Sequence, residues 1–275
     1  MNEKILIISH GHPRFNKGGG EIAAYNLFKQ LLAEGKDAYF LAACYSPLGR
    51  HGGTPFASLN EREILFYSTM TDFFWMYPGD RQVIWSEFDE FLRTIKPSIV
   101  HFHHYLHVGI EMLRQVRNYE KTLGNKVKLV CTLHEFVAIC PNQGQMINRN
   151  NYKLCYESAP ISCVECLPQY TEEQMFMRKL FIKSFFELVD HFISPSHFLK
   201  QRYVEWGLDA EKITVLENGQ EEAAKLAPKN RQTNRGTVTF AYFGQINPYK
   251  GLDVLLSALD HLTLAQRKKI RLHIH

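Results

Sequence analysis

The sequence predicts an α/β fold: a parallel sheet with helices on both faces, followed by the incomplete start of a second unit of the same kind. Three observations lead there. Short apolar runs alternate with helix-periodic stretches through residues 1–220. No tight hairpin signal joins consecutive runs, which favours crossover connections and parallel pairing. A polar, charged stretch, 221–236, then interrupts the pattern, and a fresh strand-and-helix pair follows it.

The first run, Ile5-Leu6-Ile7-Ile8-Ser9, reads as a strand. An irregular segment from Gly11 to Asn16 leads into Lys17-Gly18-Gly19-Gly20-Glu21. A helical pattern starts behind it with Ile22, Ala23, Tyr25, Leu27, Phe28, Leu31 and Leu32. Glycines at such a junction let the backbone take positive φ or let a ligand approach closely. The unpaired N–H groups of the helix start favour a phosphate or another anion. A plain flexible turn is the competing reading of a glycine triplet.

Ala38 to Ala43 is the second strand. The region 46–80 is rich in Gly, Pro and aromatic residues, with one candidate strand at Ile64 to Tyr67. A helix from Val83 to Ile95 is ended by Pro97. Ser98 to His104 is a strand running into a loop, Val108 to Tyr119 a helix, and Val127 to Leu133 a strand. Residues 136–170 form an irregular insertion carrying Cys140, Cys155, Cys163 and Cys166. A helix from Glu172 to Val189 and a strand from His191 to Ser194 follow; Ser196 caps a helix that reaches Trp206. Lys212 to Leu216 is a strand ending in Glu217-Asn218-Gly219.

After the linker 221–236, Val238 to Phe243 is a strand, Leu252 to Leu262 a helix, and Ile270 to His275 a closing strand. The expected domains are therefore 1–220 and 237–275. The second piece is too short to close a core, so the chain is expected to be truncated or completed by a partner chain. In parallel sheets ligands bind at the carboxyl ends of strands. The glycine triplet, His103-His104 and His134-Glu135 all fall at such ends.

Composition narrows the function classes. With 275 residues, 45% of them hydrophobic, the chain can build a real core. Thirty-two basic and 28 acidic residues leave a net charge of +4, too mild to argue for nucleic acid as a partner. There is no run of eighteen apolar residues, and the first apolar run is too short for a signal peptide. The expected address is the cytoplasm, where six cysteines are thiols or metal ligands rather than disulfides.

The chain resembles a retaining GT-B glycosyltransferase of the family-4 group over nearly its whole length. Four places carry the resemblance: the Gly18-Gly19-Gly20-Glu21 loop; the strand Lys96-Pro97-Ser98-Ile99-Val100-His101-Phe102-His103; the segment Thr132-Leu133-His134-Glu135-Phe136 with Cys140-Pro141; and a late set. That set is Ile193-Ser194-Pro195-Ser196, Val215 to Gly219, and Phe243-Gly244-Gln245 through Lys250-Gly251. Each motif alone is weak; their order and spacing are specific.

The resemblance implies two Rossmann-like domains facing across a cleft. The first holds a saccharide or lipid-linked acceptor, the second a nucleotide-sugar donor. It also implies transfer with retention and no metal cofactor for catalysis. Gly19 and Gly20 match the loop that approaches the donor phosphate, and Asn218 and Lys250 fall with the donor-binding positions. His134 matches the histidine at the donor sugar, with a structural strand-end histidine as the alternative. Glu135 stands where the family often has Asp. Gln245 stands where many members have a diphosphate-binding Arg, and an amide donates hydrogen bonds without charge. Glu21, His103 and His104 are placed on the acceptor side. The family's two glutamates late in the second domain do not occur before His275, so the 275-residue piece alone is expected to be inactive.

Cys163-Val164-Glu165-Cys166 is a C-x-x-C knuckle, and with Cys140 and Cys155 it offers a tetrahedral structural zinc site; plain thiols are the alternative. Cys44 and Cys131 lie on strands and belong to the core. His101, His103, His104 and His107 read as a polar rim of the acceptor cleft rather than a metal site. Arg178, Lys179 and Lys183 on the helix from Glu172 offer a membrane contact at the inner face, against ordinary packing with a solvated face. Phe73-Phe74-Trp75 would stack on an acceptor or fill a core. A rival from another class is a non-catalytic Rossmann-like binding or partner module. A dinucleotide oxidoreductase fits poorly, because no tight Gly-x-Gly-x-x-Gly turn follows the first strand.

Overall fold

A computed structural model describes residues 3–44, 54–124, 126–221, 227 and 236–275. The chain divides into two compact units, Met1–Glu221 and Glu222–His275. Most of the linker expected at 221–236 lies outside the described residues, as does the start of the irregular region after residue 44.

The first unit runs β1 (Lys4–Ser9), α1 (Gly19–Ala33), β2 (Asp37–Cys44), β3 (Phe56–Ser58), β4 (Glu63–Tyr67), β5 (Met70–Asp72), β6 (Tyr77–Pro78) and α2 (Arg81–Ile95). It continues with β7 (Ile99–Phe102), α3 (Met112–Leu123), β8 (Lys128–Thr132), α4 (Pro160–Cys166), α5 (Glu172–Phe186), β9 (His191–Ser194), α6 (His197–Trp206) and β10 (Ile213–Val215). The second unit holds β11 (Val238–Tyr242), α7 (Leu252–Asp260), α8 (Leu264–Arg267) and β12 (Ile270–Ile274).

Eight strands form one sheet in the order β10-β9-β8-β7-β1-β2-β4-β3. All neighbours pair in parallel except the edge pair β3 and β4. β5 and β6 make a small antiparallel pair of their own. The all-parallel expectation therefore holds for the body of the sheet and fails at its edge, inside the Gly- and Pro-rich region. The sheet is Rossmann-like, with helices flanking it.

The strands read as continuous apolar runs because both faces are covered. Alternation sorts β1 between two layers: Leu6 and Ile8 join one cluster, Ile7 the other. Phe28 of α1 packs with Ile7 and Phe40. On the other side, Phe88, Val116, Phe186 and Tyr203 bring α2, α3, α5 and α6 into one large cluster. Each such fully buried aromatic contributes about 2–3 kcal/mol.

Helix ends follow local rules. Lys96 takes a left-handed conformation, φ 56°, just before Pro97, which disfavours helix in the preceding residue. Ser196 caps α6 as expected, its hydroxyl accepting from Leu199 N–H at 3.1 Å. α5 starts with a capping box between Thr171 and Gln174.

In the second unit β11 and β12 pair in parallel. Among its described residues only Leu252 is buried, and Phe240 and Phe243 are exposed. No helix among the described residues is long and apolar enough to cross a membrane.

Candidate functional site

The sheet order creates the site. β2 follows β1 on one side, while β7 returns to pair with β1 on the other. That reversal is a topological switch point, where open α/β sheets leave a crevice beyond the strand ends. His10 follows β1 directly. His103 and His104 follow β7, with His103 N–H donating to the carbonyl of Ile8 at 2.7 Å. His134 and Glu135 follow β8, which pairs with β7.

The glycine turn closes against this row. α1 begins at Gly19, with Gly18 as its cap residue at φ −89° and no side-chain cap. None of the three glycines has positive φ, which corrects one of the two uses expected of them. Close approach is the operative one. A Cβ on Gly20 would lie 3.3 Å from His10 Cε1 and 3.6 Å from His134. A Cβ on Gly18 would sit 2.2 Å from the carboxylate of Glu21. A Cβ on Gly19 would meet nothing within 4 Å, so that face of the turn is open.

Glu21 is buried and pairs with His10, Nε2 to Oε1 at 3.2 Å. Burial alone would raise its carboxyl. The hydrogen bond and electrostatic pull of His10, with its own backbone N–H, hold it below the usual carboxylate range. A carboxylate thus already occupies the first turn of α1, beside the amides expected to meet a phosphate.

The histidines form a contiguous, largely buried group. His103 Nδ1 and His134 Nε2 are 3.1 Å apart, and His101 Nε2 lies 2.7 Å from Thr132 Oγ1. The His10 and His104 rings are 4.5 Å apart. The tautomer of His104 follows from its neighbours: Leu106 N–H donates to Nδ1 at 3.0 Å, so the proton is on Nε2, which donates to Glu135 Oε1 at 3.2 Å. Burial, reinforced by neighbouring imidazoles, pushes His134 down to about 4. It takes His103 and His104 well below their ordinary range. The expected polar rim is therefore buried neutral structure at His101, His103 and His104 and half-buried at His107, while the neighbouring His134 is also half-buried.

Glu135 moves the other way. Burial pushes its carboxyl up to about 8, against the Val137 N–H bond and the charges of His10 and Arg178, which lower it. A third of its side-chain surface still meets solvent, which tempers the rise. Below that value it is a neutral acid able to donate a proton or a hydrogen bond.

Four contributors were not foreseen from the sequence. His10 is one, although it follows a strand just as His103 and His134 do. His12 and Glu63 are a second and third: Arg14 N–H donates to His12 Nδ1, and His12 Nε2 donates to Glu63 at 2.9 Å, pinning the loop after β1 to β4. The last is Arg178, expected on a solvated basic face. It is buried, and its guanidinium donates to the carbonyls of Phe74, Val137 and Ala138 at 2.9, 2.6 and 2.9 Å. Its placement removes one basic residue from any membrane-facing surface of α5, because three backbone acceptors satisfy it inside. Phe74 stacks on Tyr170 at 3.9 Å and Trp75 packs on Phe181, so both fill a core while Phe73 is exposed.

The remaining candidates lie apart from this group or in the second unit. Asn218 is exposed just past β10. Gln245 and Lys250 are exposed on the loop after β11, where Asn247 caps the short 3-10 turn holding Lys250. Cys140, Cys155, Cys163 and Cys166 line one small cavity away from the histidines. Cys44 and Cys131 are buried in β2 and β8.

Among solved structures, the fold is similar to sucrose-phosphate synthase from Thermosynechococcus elongatus, with a TM-score of 0.63 and 14% identity over 99% of this chain and 62% of that one. It is similar to the lipopolysaccharide outer core galactosyltransferase WaaB in its apo form, with a TM-score of 0.53 and 15% identity over 98% and 60%. It is also similar to Anabaena HepE in complex with UDP and glucose, with a TM-score of 0.53 and 15% identity over 99% and 60%. At such identities the likeness is one of fold. The chain spans about three fifths of the length of these structures. No curated protein matches it in sequence. The Glycosyltransferase Family 4 profile matches residues 17–222, from the glycine turn through the histidine row to the last strand of the first sheet, and the chain therefore belongs to Glycosyltransferase Family 4.

Proposed function

We propose that this chain carries the acceptor-side domain of a retaining sugar transferase that needs no metal for catalysis. It would move a sugar from a nucleotide-sugar donor to a saccharide or lipid-linked acceptor. The observation that carries the reading is the approach of Gly20 to His10 and His134 at the switch point. A helix start, a neutral histidine and an open glycine face meet there, at the place where such sheets bind ligands. HepE, similar in fold, was solved with UDP and glucose bound.

In this reading His134 touches the donor sugar. Its Nε2 is engaged by His103, so its other nitrogen is the one left to meet a hydroxyl or the developing charge of the reacting centre. Glu135 acts beside it as a neutral acid below about 8. The N–H groups at Gly19 and Gly20 approach the diphosphate, while Asn218, Gln245 and Lys250 supply donors and one positive charge. The Glu21 carboxylate would repel a diphosphate, and it is engaged by His10 at 3.2 Å. Glu21, His103 and His104 shape the acceptor side, at the inner face of a membrane if the acceptor is lipid-linked.

A panel of nucleotide-sugars tests this with the full-length chain, reading transfer and hydrolysis. One donor is expected to turn over equally with magnesium and manganese omitted, with the product keeping the donor's anomeric configuration. His134→Ala is expected to lower kcat about 100-fold or more while leaving the fold intact. Failure of every nucleotide-sugar to bind or react would overturn the reading in favour of a binding module.

A further inference from the structure

The irregular segment between β8 and α5 poses a physical problem. Its regular structure among the described residues is the short α4 and a single bridge between Ile147 and Leu154. Leu133, Val137, Ile139, Met146 and Leu167 anchor its two ends in the core, but no residue between Met146 and Leu167 is buried: Tyr152 is 74% exposed and Ile161 65%. A stretch like this cannot be held by a core of its own and calls for a cross-link. Four cysteines far apart in sequence meet in it. Cys140, Cys155, Cys163 and Cys166 line one cavity of about 50 Å3. Cys163 and Cys166 are one turn apart on α4, so their sulfurs share a face. All four are free thiols.

We propose that Cys140, Cys155, Cys163 and Cys166 bind one structural zinc ion as thiolates. The site goes beyond sugar transfer and does not depend on it. The donor set is right: four sulfurs around one small space suit tetrahedral zinc. A backbone amide is already aimed at one of the sulfurs, as suits a thiolate ligand. Arg149 N–H donates to Cys166 Sγ at 3.3 Å. Among the described residues no three metal-binding side chains stand in ligating geometry. The four thiols line the same cavity, and binding would require them to turn toward one point within it. On binding, each thiol loses its proton to solvent and forms one Zn–S bond. The bound ion would fix the chain that runs from Cys140 back to Val137 and Ala138, whose carbonyls hold Arg178, and so to the loop carrying Glu135.

The test begins with the full-length wild-type protein. Elemental analysis after growth in zinc-supplemented medium is expected to give one zinc per chain. Cobalt exchange should give tetrahedral d–d bands with sulfur-to-cobalt charge transfer. A strong chelator should release the metal and raise the thiols reactive to a disulfide reagent by four. Cys163→Ser and Cys166→Ser should purify with background zinc, while Cys44→Ala keeps it. Any of the following overturns the proposal: no stoichiometric zinc in the wild type; disulfides among the four cysteines; acid-labile sulfide with iron; or zinc unchanged in both serine variants. The wild-type measurements decide the matter even if the variants do not fold.

Discussion

His134 and its neighbours are held uncharged by their surroundings, and that has a sign that can be measured. Burial pushes His101 down to about 3, His107 and His134 to about 4, and His103 and His104 well below the ordinary 6.5. The unfolded chain binds protons on these rings near 6.5; the folded chain does not. Their contribution to stability is therefore complete above about 6.5 and is lost as pH falls toward about 4. The depressed Glu21 carboxyl adds a loss of the same direction at lower pH. We expect Tm to fall across this window and calorimetry in buffers of differing ionisation enthalpy to report uptake of several protons on unfolding. Glu135 has the opposite sign. Its raised pKa stabilises the fold below about 4.5 and loses that contribution as pH rises through about 8. Glu135→Gln, whose single amide oxygen can serve only one of Val137 N–H and His104 Nε2–H, should lose the alkaline fall in stability that wild type shows above pH 8 in denaturant titrations. A variant whose alkaline stability tracks wild type would rule this out. His103, His134 and Glu135 were legible as strand-end polar residues. His10 carried the same signal but stands beside Gly11, in a segment whose glycine and proline mark a turn. Arg178 could not be placed, because a basic residue on an amphipathic pattern reads as solvated until the carbonyls that satisfy it are known.

The glycine turn and α1 behave as one element with three distinct positions. Gly19→Ala fills open space at a helix start, so it should leave stability unchanged or raise it by up to about 1 kcal/mol. It should nonetheless raise the KM for the nucleotide-sugar, because the methyl group stands where a phosphate would approach. Gly18→Ala drives a Cβ into the Glu21 carboxylate and should displace Glu21 from His10. Its expected cost is about 1–3 kcal/mol in chemical denaturation. Equal KM for wild type and Gly19→Ala would remove the phosphate from this turn. On α5, Arg178→Met leaves three buried carbonyls without their donor, and unfolding should become easier by more than about 3 kcal/mol. The central strands were legible because a strand buried on both faces is apolar without interruption, as at Ile5 to Ile8. β3, β5 and β6 were not, since two or three residues at an edge carry no period to read. The start of α3 at Met112 rather than Val108 reflects the turns at His107 and Gly109, both at positive φ, which no apolar count reveals.

At the scale of the molecule, the first unit owns a complete sheet and the second shows two paired strands with little burial of their own. In the large sheet the strand laid down first ends in the interior, with β2 on one side and β7 on the other. β1 pairs with β2 early in the sequence, yet its other edge waits for β7, where Ile5 sits opposite Ile99. Hydrogen exchange should show the amides of β1, β7 and β8 opening only with the whole unit. The same arrangement has a consequence for how the protein is made. While the chain is being synthesised, β1 carries an open apolar edge until the strand after Pro97 emerges, a template for wrong partners during the longest pairing step of the fold. The histidine row exists only once that step is complete, so a nascent chain stalled before β7 would hold the glycine turn with nothing to close against.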